Sequence, residues 1–489
     1  MQLHNTPEGH GSLLRSCWSI VLAITVTFGL GLGGSPAVAE TAVARAPLSE
    51  RPAPLAQVST QLYLPSLARY SDAGYKSPFG ISIYDSINDA RGLSAMDTAG
   101  ADLIFTNFRW LDLQATEGAP YDFTWMDAKA DAAASKGMQL VVLFDHNPGW
   151  ALLDPANPRG PLKADKYDDL AAAVGALATR YNGNNGHPRV NYWLFYGEPD
   201  NIWSGWGLYP NEYGDMLAQV SAVIKAANPY AWVMPGAVAY DRFTDDKVNT
   251  PGPFARNFLP DVFARLNTKP GGAKAYIDAV GFNEFGLSLT RWPTLKDKAA
   301  AVRQIMTTAG IGSLPLVVTE LSRTSKGVNT EAFQAQMVIQ LYAQGIAVNI
   351  AQLHWFQVFD MVGLQPPGDV LNAYGLYRDE NISDPKPSYT AYTVAAREFD
   401  GARFLRNLGV AGTEGYVFMR GPDLITVVWG TGASPVNVEF TQSCALKITR
   451  LDVSTPVSDG GAGDGDGVAN GKVRFQVTQN EPIIVRACP

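Results

Sequence analysis

The sequence predicts an α/β fold in which a (β/α)8 barrel (TIM barrel) precedes a small C-terminal antiparallel β domain. Eight short apolar segments lack polar alternation, as do strands of a parallel sheet that is covered on both faces. Each is followed by an amphipathic or alanine-rich segment with helical periodicity. Beyond residue 401 the helical periodicity gives way to short alternating runs, which are typical of antiparallel strands.

Length and composition allow a large core. The chain has 489 residues, of which 46% are hydrophobic and 17% charged, so it is too long for a single small domain. The 38 Lys and Arg residues against 46 Asp and Glu residues give a net charge of -8. This balance disfavours nucleic acid and anionic membranes as partners and favours a neutral or weakly charged ligand.

The N-terminal residues are predicted to form an export signal. Arg15 precedes an apolar stretch over residues 17–32, and Ala37-Val-Ala39 forms a small-x-small cleavage pattern. A membrane anchor is the alternative, but the stretch is shorter than the roughly 20 residues that span a bilayer. Residues 1–39 are therefore predicted to be a cleaved signal peptide, which makes the mature protein secreted or extracytoplasmic and not membrane-bound. Residues 40–76, rich in Ala, Pro, Ser and Arg, are predicted to be a linker.

The predicted barrel spans residues 77–402. Its strand candidates are residues 79–84, 103–110, 138–145, 190–196, 231–237, 277–283, 316–320 and 350–358. Its helix candidates are residues 92–100, 125–136, 165–181, 211–227, 253–266, 295–309, 330–344 and 389–399. A doubly wound sheet would need a glycine-rich first βα turn, and the turn that starts at Tyr84 contains no glycine. The active site of a barrel lies on the loops that follow its strands.

Residues 403–489 are predicted to form a small β-sandwich-like domain, with strands near residues 415–419, 424–429, 436–441, 447–451, 472–478 and 482–486. Loss of Cys17 with the signal peptide leaves Cys444 and Cys488. In an exported chain such a pair is predicted to form a disulfide that fastens the C-terminus.

No metal site or cofactor is predicted. Residues 459–467 are rich in Asp and Gly, but counting from Asp464 the glycine at the sixth position and the acid at the twelfth position of a calcium loop are absent. This segment is therefore predicted to be a hairpin tip. Gly29, Gly31 and Gly34 match a dinucleotide fingerprint, but they lie within the export segment.

Two glutamates end apolar strands of the predicted barrel. Glu198 follows the fourth strand and Glu320 ends the seventh, so both lie at the same mouth. Cleavage of a glycosidic bond requires a protonated carboxyl group beside the leaving oxygen and an ionised carboxylate beside the anomeric carbon. Either glutamate alone could be a helix cap or a salt-bridge partner, but the pair predicts a retaining glycosidase.

Several segments give residues 78–400 a resemblance to a known family. They are the Phe-Arg-Trp of residues 108–110, the acidic-Gly-aromatic passage of residues 117–123, the Asn-Pro-Gly-Trp of residues 147–150 and Trp355 on the eighth strand. The chain resembles the retaining glycoside hydrolases of clan A, and its sequence pattern is most similar to that of family 39, the β-xylosidase and α-L-iduronidase group.

The resemblance implies a role for each of these residues. Glu198 would be the acid/base and Glu320 the nucleophile, Arg109 would lower the pKa of Glu320, and Trp355 would stack on the sugar. His146, Trp150 and Asn283 complete the predicted substrate-binding set, although His146 is equally consistent with a structural role at the barrel mouth. Of Trp150, Trp203, Trp206 and Trp355, at least two are predicted to be subsite walls rather than core.

The chain departs from the family pattern at two places. Gly197 stands where the family has an Asn before the acid/base, and strand six offers Glu284 and Phe285 where the family has a tyrosine hydroxyl for the nucleophile. Glu284 is therefore a competing candidate for the nucleophile. Two functions remain: a secreted retaining glycoside hydrolase that cleaves O-glycosidic bonds of poly- or oligosaccharides by double displacement, or a catalytically impaired carbohydrate-binding barrel.

Overall fold

The computed structural model describes residues 77–247, 251–287, 291–361, 372–441 and 445–486. The predicted signal peptide (1–39), the predicted linker (40–76) and both cysteines of the predicted disulfide, Cys444 and Cys488, lie outside the described residues. Within these ranges, no helix combines the length and the hydropathy that a membrane crossing requires.

Eight parallel strands form the barrel, as the sequence predicts. They are β1 Phe79–Ser82, β2 Leu103–Arg109, β3 Gln139–Asp145, β4 Tyr192–Phe195, β5 Trp232–Pro235, β6 Val280–Glu284, β7 Leu316–Leu321 and β8 Ile350–Trp355. Neighbouring strands pair in the order β5-β4-β3-β2-β1-β8-β7-β6. A parallel bridge between Val238 and Phe282, just beyond β5 and on β6, brings the two ends of the sheet together.

A helix follows every strand. The helices are α1 Leu93–Thr98, α2 Trp110–Leu113, α3 Thr124–Ser135, α4 Tyr167–Arg180, α5 Pro210–Ala227, α6 Phe258–Asn267, α7 Leu295–Thr308, α8 Glu331–Ala347 and α9 Pro387–Phe399. All but the single turn α2 overlap predicted helical segments. The predicted (β/α)8 connectivity is therefore confirmed.

The apolar strands are explained by the two layers of core that they separate. On β3, Val141 and Leu143 belong to the cluster inside the barrel. Val142 and Phe144 belong to the much larger cluster between the barrel and its helices. Because successive side chains point to opposite faces of a strand and both faces are buried, no polar alternation is left in the sequence.

The C-terminal region is antiparallel, as predicted. A six-stranded sheet and a two-stranded sheet are formed by β9 Arg403–Asn407, β10 Thr413–Arg420, β11 Asp423–Gly430, β12 Val436–Thr441, β13 Leu446–Arg450, β14 Val453–Val457, β15 Lys472–Val477 and β16 Ile483–Arg486. This region packs on the barrel: Phe418 contacts Phe399 of α9, and Arg486 pairs with the buried Glu398.

The acidic loop before β15 binds its own backbone. Asp464 accepts hydrogen bonds from the N–H groups of Gly460 and Arg474, at 2.8 and 2.9 Å. Asp459 accepts from the N–H groups of Asn470 and Gly471, at 2.9 and 2.7 Å. These carboxylates act as turn-forming acceptors, which agrees with the hairpin tip that the sequence predicts.

Candidate active site

Glu198 is held at the barrel mouth by an abrupt turn after β4. Its backbone has a φ of 47°, in the left-handed region, and Tyr196 has a φ of 59°. Its N–H donates to the carbonyl of Ala237 beyond β5 at 3.0 Å. A side chain at Gly236 would meet the Tyr196 carbonyl at 1.6 Å, so glycine permits the close approach of the two loops. Backbone strain of this kind, about 1–3 kcal/mol per residue, is concentrated at functional sites.

A β-bulge directs Glu320 to the same mouth. Phe282 of β6 pairs with Val318 of β7, but the next pair joins Asn283 to Glu320, so that Thr319 is an extra residue on β7. A bulge changes the direction in which the following side chain points. Glu320 is 3% exposed, and its carboxyl group points toward Asn283.

Asn283 joins the two glutamates. Its Nδ2 donates to Oε1 of Glu198 at 3.2 Å and to Oε2 of Glu320 at 3.1 Å. Its Oδ1 accepts from the hydroxyl of Thr319 at 2.9 Å, which fixes the orientation of the amide. The two carboxyl oxygens share one nitrogen, so they lie less than twice 3.2 Å apart. Inverting glycosidases need about 6.5–9.5 Å between their carboxyl groups, whereas retaining enzymes need about 5–5.5 Å.

Tyr84 is a site residue that the sequence did not predict. Its phenol, two residues beyond β1, donates a hydrogen bond to Oε1 of Glu320. Its carbonyl accepts from Nζ of the buried Lys129 on α3 at 2.7 Å, and the same ammonium donates to Asn107 of β2. Burial and the charge of Glu320 raise the pKa of Tyr84 well above its usual value, so the phenol stays protonated and acts as a donor.

The surroundings of the two glutamates give them different pKa values. Burial, followed by the charges of Glu320 and Asp200, raises the pKa of Glu198 to about 8. Burial raises the pKa of Glu320 to about 7, against the hydrogen bond from Tyr84 and the charge of Arg159, which lower it. Because the phenol of Tyr84 donates to Glu320 and not to Glu198, Glu320 ionises first, and the singly protonated pair keeps its proton on Glu198.

Arg159 is a second residue that the sequence missed. It is 3% exposed, and its Nη2 has no hydrogen-bond partner among the described residues. The loop that carries it is anchored beside Glu198: the N–H of Asn147 donates to the carbonyl of Pro158 at 2.7 Å, and the phenol of Tyr196 donates to Asn147 Oδ1 at 2.9 Å. Its charge lowers the pKa of both glutamates.

Arg109 and Glu284 each form ion pairs with side chains other than Glu198 and Glu320. Arg109 donates two hydrogen bonds to Asp112, at 2.5 and 2.7 Å, because α2 begins at the end of β2 and brings that carboxylate within reach. The cation that lowers the pKa of Glu320 is Arg159. Glu284 is buried and forms ion pairs with Arg323 at 2.7 Å and Lys298 at 3.7 Å. Against the effect of burial, these two cations lower its pKa.

His146 and Trp150, which were predicted to bind substrate, contact neighbouring side chains in the structure. His146 is buried at the end of β3 with a φ of 51°, and its Nδ1 lies 2.8 Å from Asp145. Trp150 is partly exposed and packs edge-on against Trp110, with ring centroids 5.2 Å apart. Both lie on or beside the loop after β3.

Trp355, which we expected to stack on the sugar, is 0% exposed and belongs to the core outside the barrel. It pairs with Leu321 of β7, which lies in the same outer core. The next residue, Phe356, instead clusters with Tyr84 and Phe285. The prediction for this strand was shifted by one residue. Since successive side chains point to opposite faces of a strand, that shift exchanges the face of Trp355 with the face of Phe356.

No group of three or more His, Cys, Asp or Glu side chains in the described ranges is arranged to hold a metal ion.

The solved structures that this chain resembles share this architecture. One is a family 39 glycoside hydrolase from Bacteroides cellulosilyticus WH2, with a TM-score of 0.63 and 16% identity over 85% of this chain and 82% of that chain. The fold of this chain is therefore similar to that of a glycoside hydrolase barrel. A β-xylosidase from Caulobacter crescentus CB15 has a TM-score of 0.58 and 15% identity, over 85% of this chain and 98% of that chain.

A family 30 endoxylanase from Clostridium papyrosolvens C71 has a TM-score of 0.57 and 14% identity, again over 85% of this chain and 98% of that chain. No family model and no curated protein matches the sequence. At these identities the likeness concerns the fold, and one fold can support many different chemistries.

Proposed function

We propose that this protein is a secreted retaining glycoside hydrolase that cleaves O-glycosidic bonds of poly- or oligosaccharides. The observation that carries the proposal is the bridge from Asn283 to both Glu198 and Glu320, since it holds one oxygen of each buried carboxyl group less than twice 3.2 Å apart, below the separation of about 6.5–9.5 Å in inverting enzymes. Secretion is supported by the export pattern of residues 1–39.

In the first step, Glu198 transfers its proton to the glycosidic oxygen as the carbon–oxygen bond breaks. The carboxylate of Glu320 attacks the anomeric carbon from the opposite face, and a glycosyl ester forms while the alcohol leaves. In the second step, ionised Glu198 takes a proton from water as that water attacks the anomeric carbon. Glu320 is released as a carboxylate, and the two inversions retain the configuration.

The surroundings of each glutamate support this assignment of roles. The phenol of Tyr84 stabilises the ionised form of Glu320, which the nucleophile requires. Burial, followed by the charges of Glu320 and Asp200, raises the pKa of Glu198 and favours its neutral form, as a general acid requires.

The chain lacks two groups of the family pattern, and their absence suggested a binding protein without activity. Phe285 offers no hydroxyl to the nucleophile, but the phenol of Tyr84, just beyond β1, donates a hydrogen bond to Glu320. Gly197 offers no side-chain amide beside the acid/base, and the amide of Asn283 donates to both glutamates. The nucleophile thus keeps a phenol donor, and the impaired barrel is not favoured.

The test is a panel of 4-nitrophenyl glycosides, beginning with the β-D-xyloside because two of the similar structures are a β-xylosidase and an endoxylanase. The anomer of the first-formed product is then followed by NMR. Retained configuration supports the proposal. Inverted configuration, or no cleavage of any glycoside by a protein that still binds oligosaccharides, would overturn it.

A further inference from the structure

The loop that carries Glu198 also exposes a large aromatic side chain. Trp203 is 61% exposed, only five residues beyond the proposed acid/base. Its exposed indole offers a flat apolar face on which another molecule can pack.

Trp203 is displayed on a rigid turn. Asn201 is buried, and its Oδ1 accepts from the N–H groups of Trp203 at 2.8 Å and Ser204 at 3.1 Å. The N–H of Asn201 donates to the carbonyl of Glu198 at 3.0 Å, so the turn folds back on the acid/base. Trp206 anchors the other end, fully buried against Tyr196. The backbone that carries Trp203 is thus held by hydrogen bonds on both sides of the turn.

A second aromatic surface is attached to the same loop. Asp200 accepts from the N–H of Tyr240 at 2.9 Å, and the ring of Tyr240 stacks on Trp292 with centroids 5.6 Å apart and planes 22° apart. The indole N–H of Trp292 donates to the carbonyl of Tyr240 at 3.1 Å. Both rings are half-buried, and each is fixed by hydrogen bonds or stacking.

We infer that Trp203, with Tyr240 and Trp292, binds the sugar units on the leaving-group side of the scissile bond, so that the substrate is an oligo- or polysaccharide extended beyond the cleaved residue. A general acid must lie beside the leaving oxygen, and the loop that carries it therefore borders the leaving group. The C–H faces of pyranose rings are apolar and pack on flat aromatic rings, whereas a small alcohol offers no such face. This inference rests on the proposed function, because it takes Glu198 as the proton donor.

The test compares Trp203→Ala with Tyr230→Ala. Tyr230 is a matched control because it is 58% exposed and also follows a turn in which an Asn side chain, Asn228, accepts its N–H. It lies at the start of β5, at the opposite end of the barrel from the glutamates. The substrates are the 4-nitrophenyl glycoside that the panel shows to be cleaved fastest and oligosaccharides of two to six units of the same sugar.

Trp203→Ala is expected to lower kcat/KM about tenfold for the longer oligosaccharides and to leave the 4-nitrophenyl glycoside within about twofold. Tyr230→Ala should change neither. An equal effect of Trp203→Ala on both substrate classes, or no effect on any length, would overturn the inference.

Failure of the proposed function would give a different result, namely no hydrolysis of either substrate class by the unaltered protein. In that case the same variants are compared by calorimetric titration with the oligosaccharides. Weaker binding by Trp203→Ala alone would still support an aromatic sugar site, and equal affinity in both variants would contradict it.

Discussion

Tyr84, next to β1, donates its phenolic hydrogen to Glu320 on β7, 236 residues further along the chain. The bond joins two strands that lie on either side of β8 in the barrel. It gives the proposed nucleophile a donor that strand six, with Phe285, does not offer.

Tyr84→Phe should shift the acid side of the pH profile upward. The phenol stabilises ionised Glu320, so its loss raises the pKa of Glu320, and activity is then lost at a higher pH on acidification. We expect kcat/KM below neutral pH to fall about tenfold, as for the loss of a hydrogen bond to a charged group. The measurement is kcat/KM against pH, and an unchanged acid limb would argue against the bond.

Asn283→Ala should act on the other side of the profile. The amide lowers the pKa of Glu198, so its removal raises that pKa and moves the basic limb to higher pH. The maximal rate should fall because the spacing of the carboxyl groups is no longer fixed. Movement of the basic limb to lower pH would contradict the assignment of Glu198 as the acid.

Glu198→Ala and Glu320→Ala should respond differently to added azide. Without Glu198, substrates with poor leaving groups should lose about 10²–10⁴ in rate, whereas activated aryl glycosides still form the glycosyl ester. Added azide can attack that ester without a general base, and the product should be a glycosyl azide of retained configuration. Glu320→Ala should form no such product from any substrate, and azide rescue of that variant would exchange the roles.

Glu284→Ala should damage stability more than chemistry. It leaves the buried Arg323 and Lys298 without their shared carboxylate, a loss of about 3–5 kcal/mol in the free energy of unfolding. Denaturant unfolding measures this loss, with the exposed Glu212→Ala on α5 as control. Unchanged stability would show that the ion pairs are not structural.

The predicted disulfide between Cys444 and Cys488 has its own test. Both residues follow the proposed cleavage site, and a closed loop of this length should stabilise the fold by about 3–4 kcal/mol. Thiol titration of the denatured, unreduced mature protein should detect no free thiol. Two reactive thiols would exclude the bond.

The barrel was predictable because its strands are buried on both faces and each ends before a clear helical segment. All eight strands were found from this pattern. In the C-terminal region β9 and β14 were missed: β9 is exposed along its whole length and β14 contains Pro456, so neither shows the expected alternation.

In the site, the sequence indicated Glu198 and Glu320 from their positions after the fourth and seventh strands. It did not reveal Tyr84 or Arg159, since nothing local marks a tyrosine beyond β1 or an arginine within a long loop as neighbours of Glu320. It also placed Trp355 on the wrong face, because the choice between residues 355 and 356 depends on register and not on composition.

The most direct test of the central claim is to trap the covalent intermediate. The unaltered protein is incubated with the 2-deoxy-2-fluoro derivative of the accepted sugar carrying a good leaving group, and the labelled peptide is mapped by mass spectrometry. We predict one sugar per chain, attached through an ester to Glu320. Label on Glu284 with none on Glu320 would contradict the account.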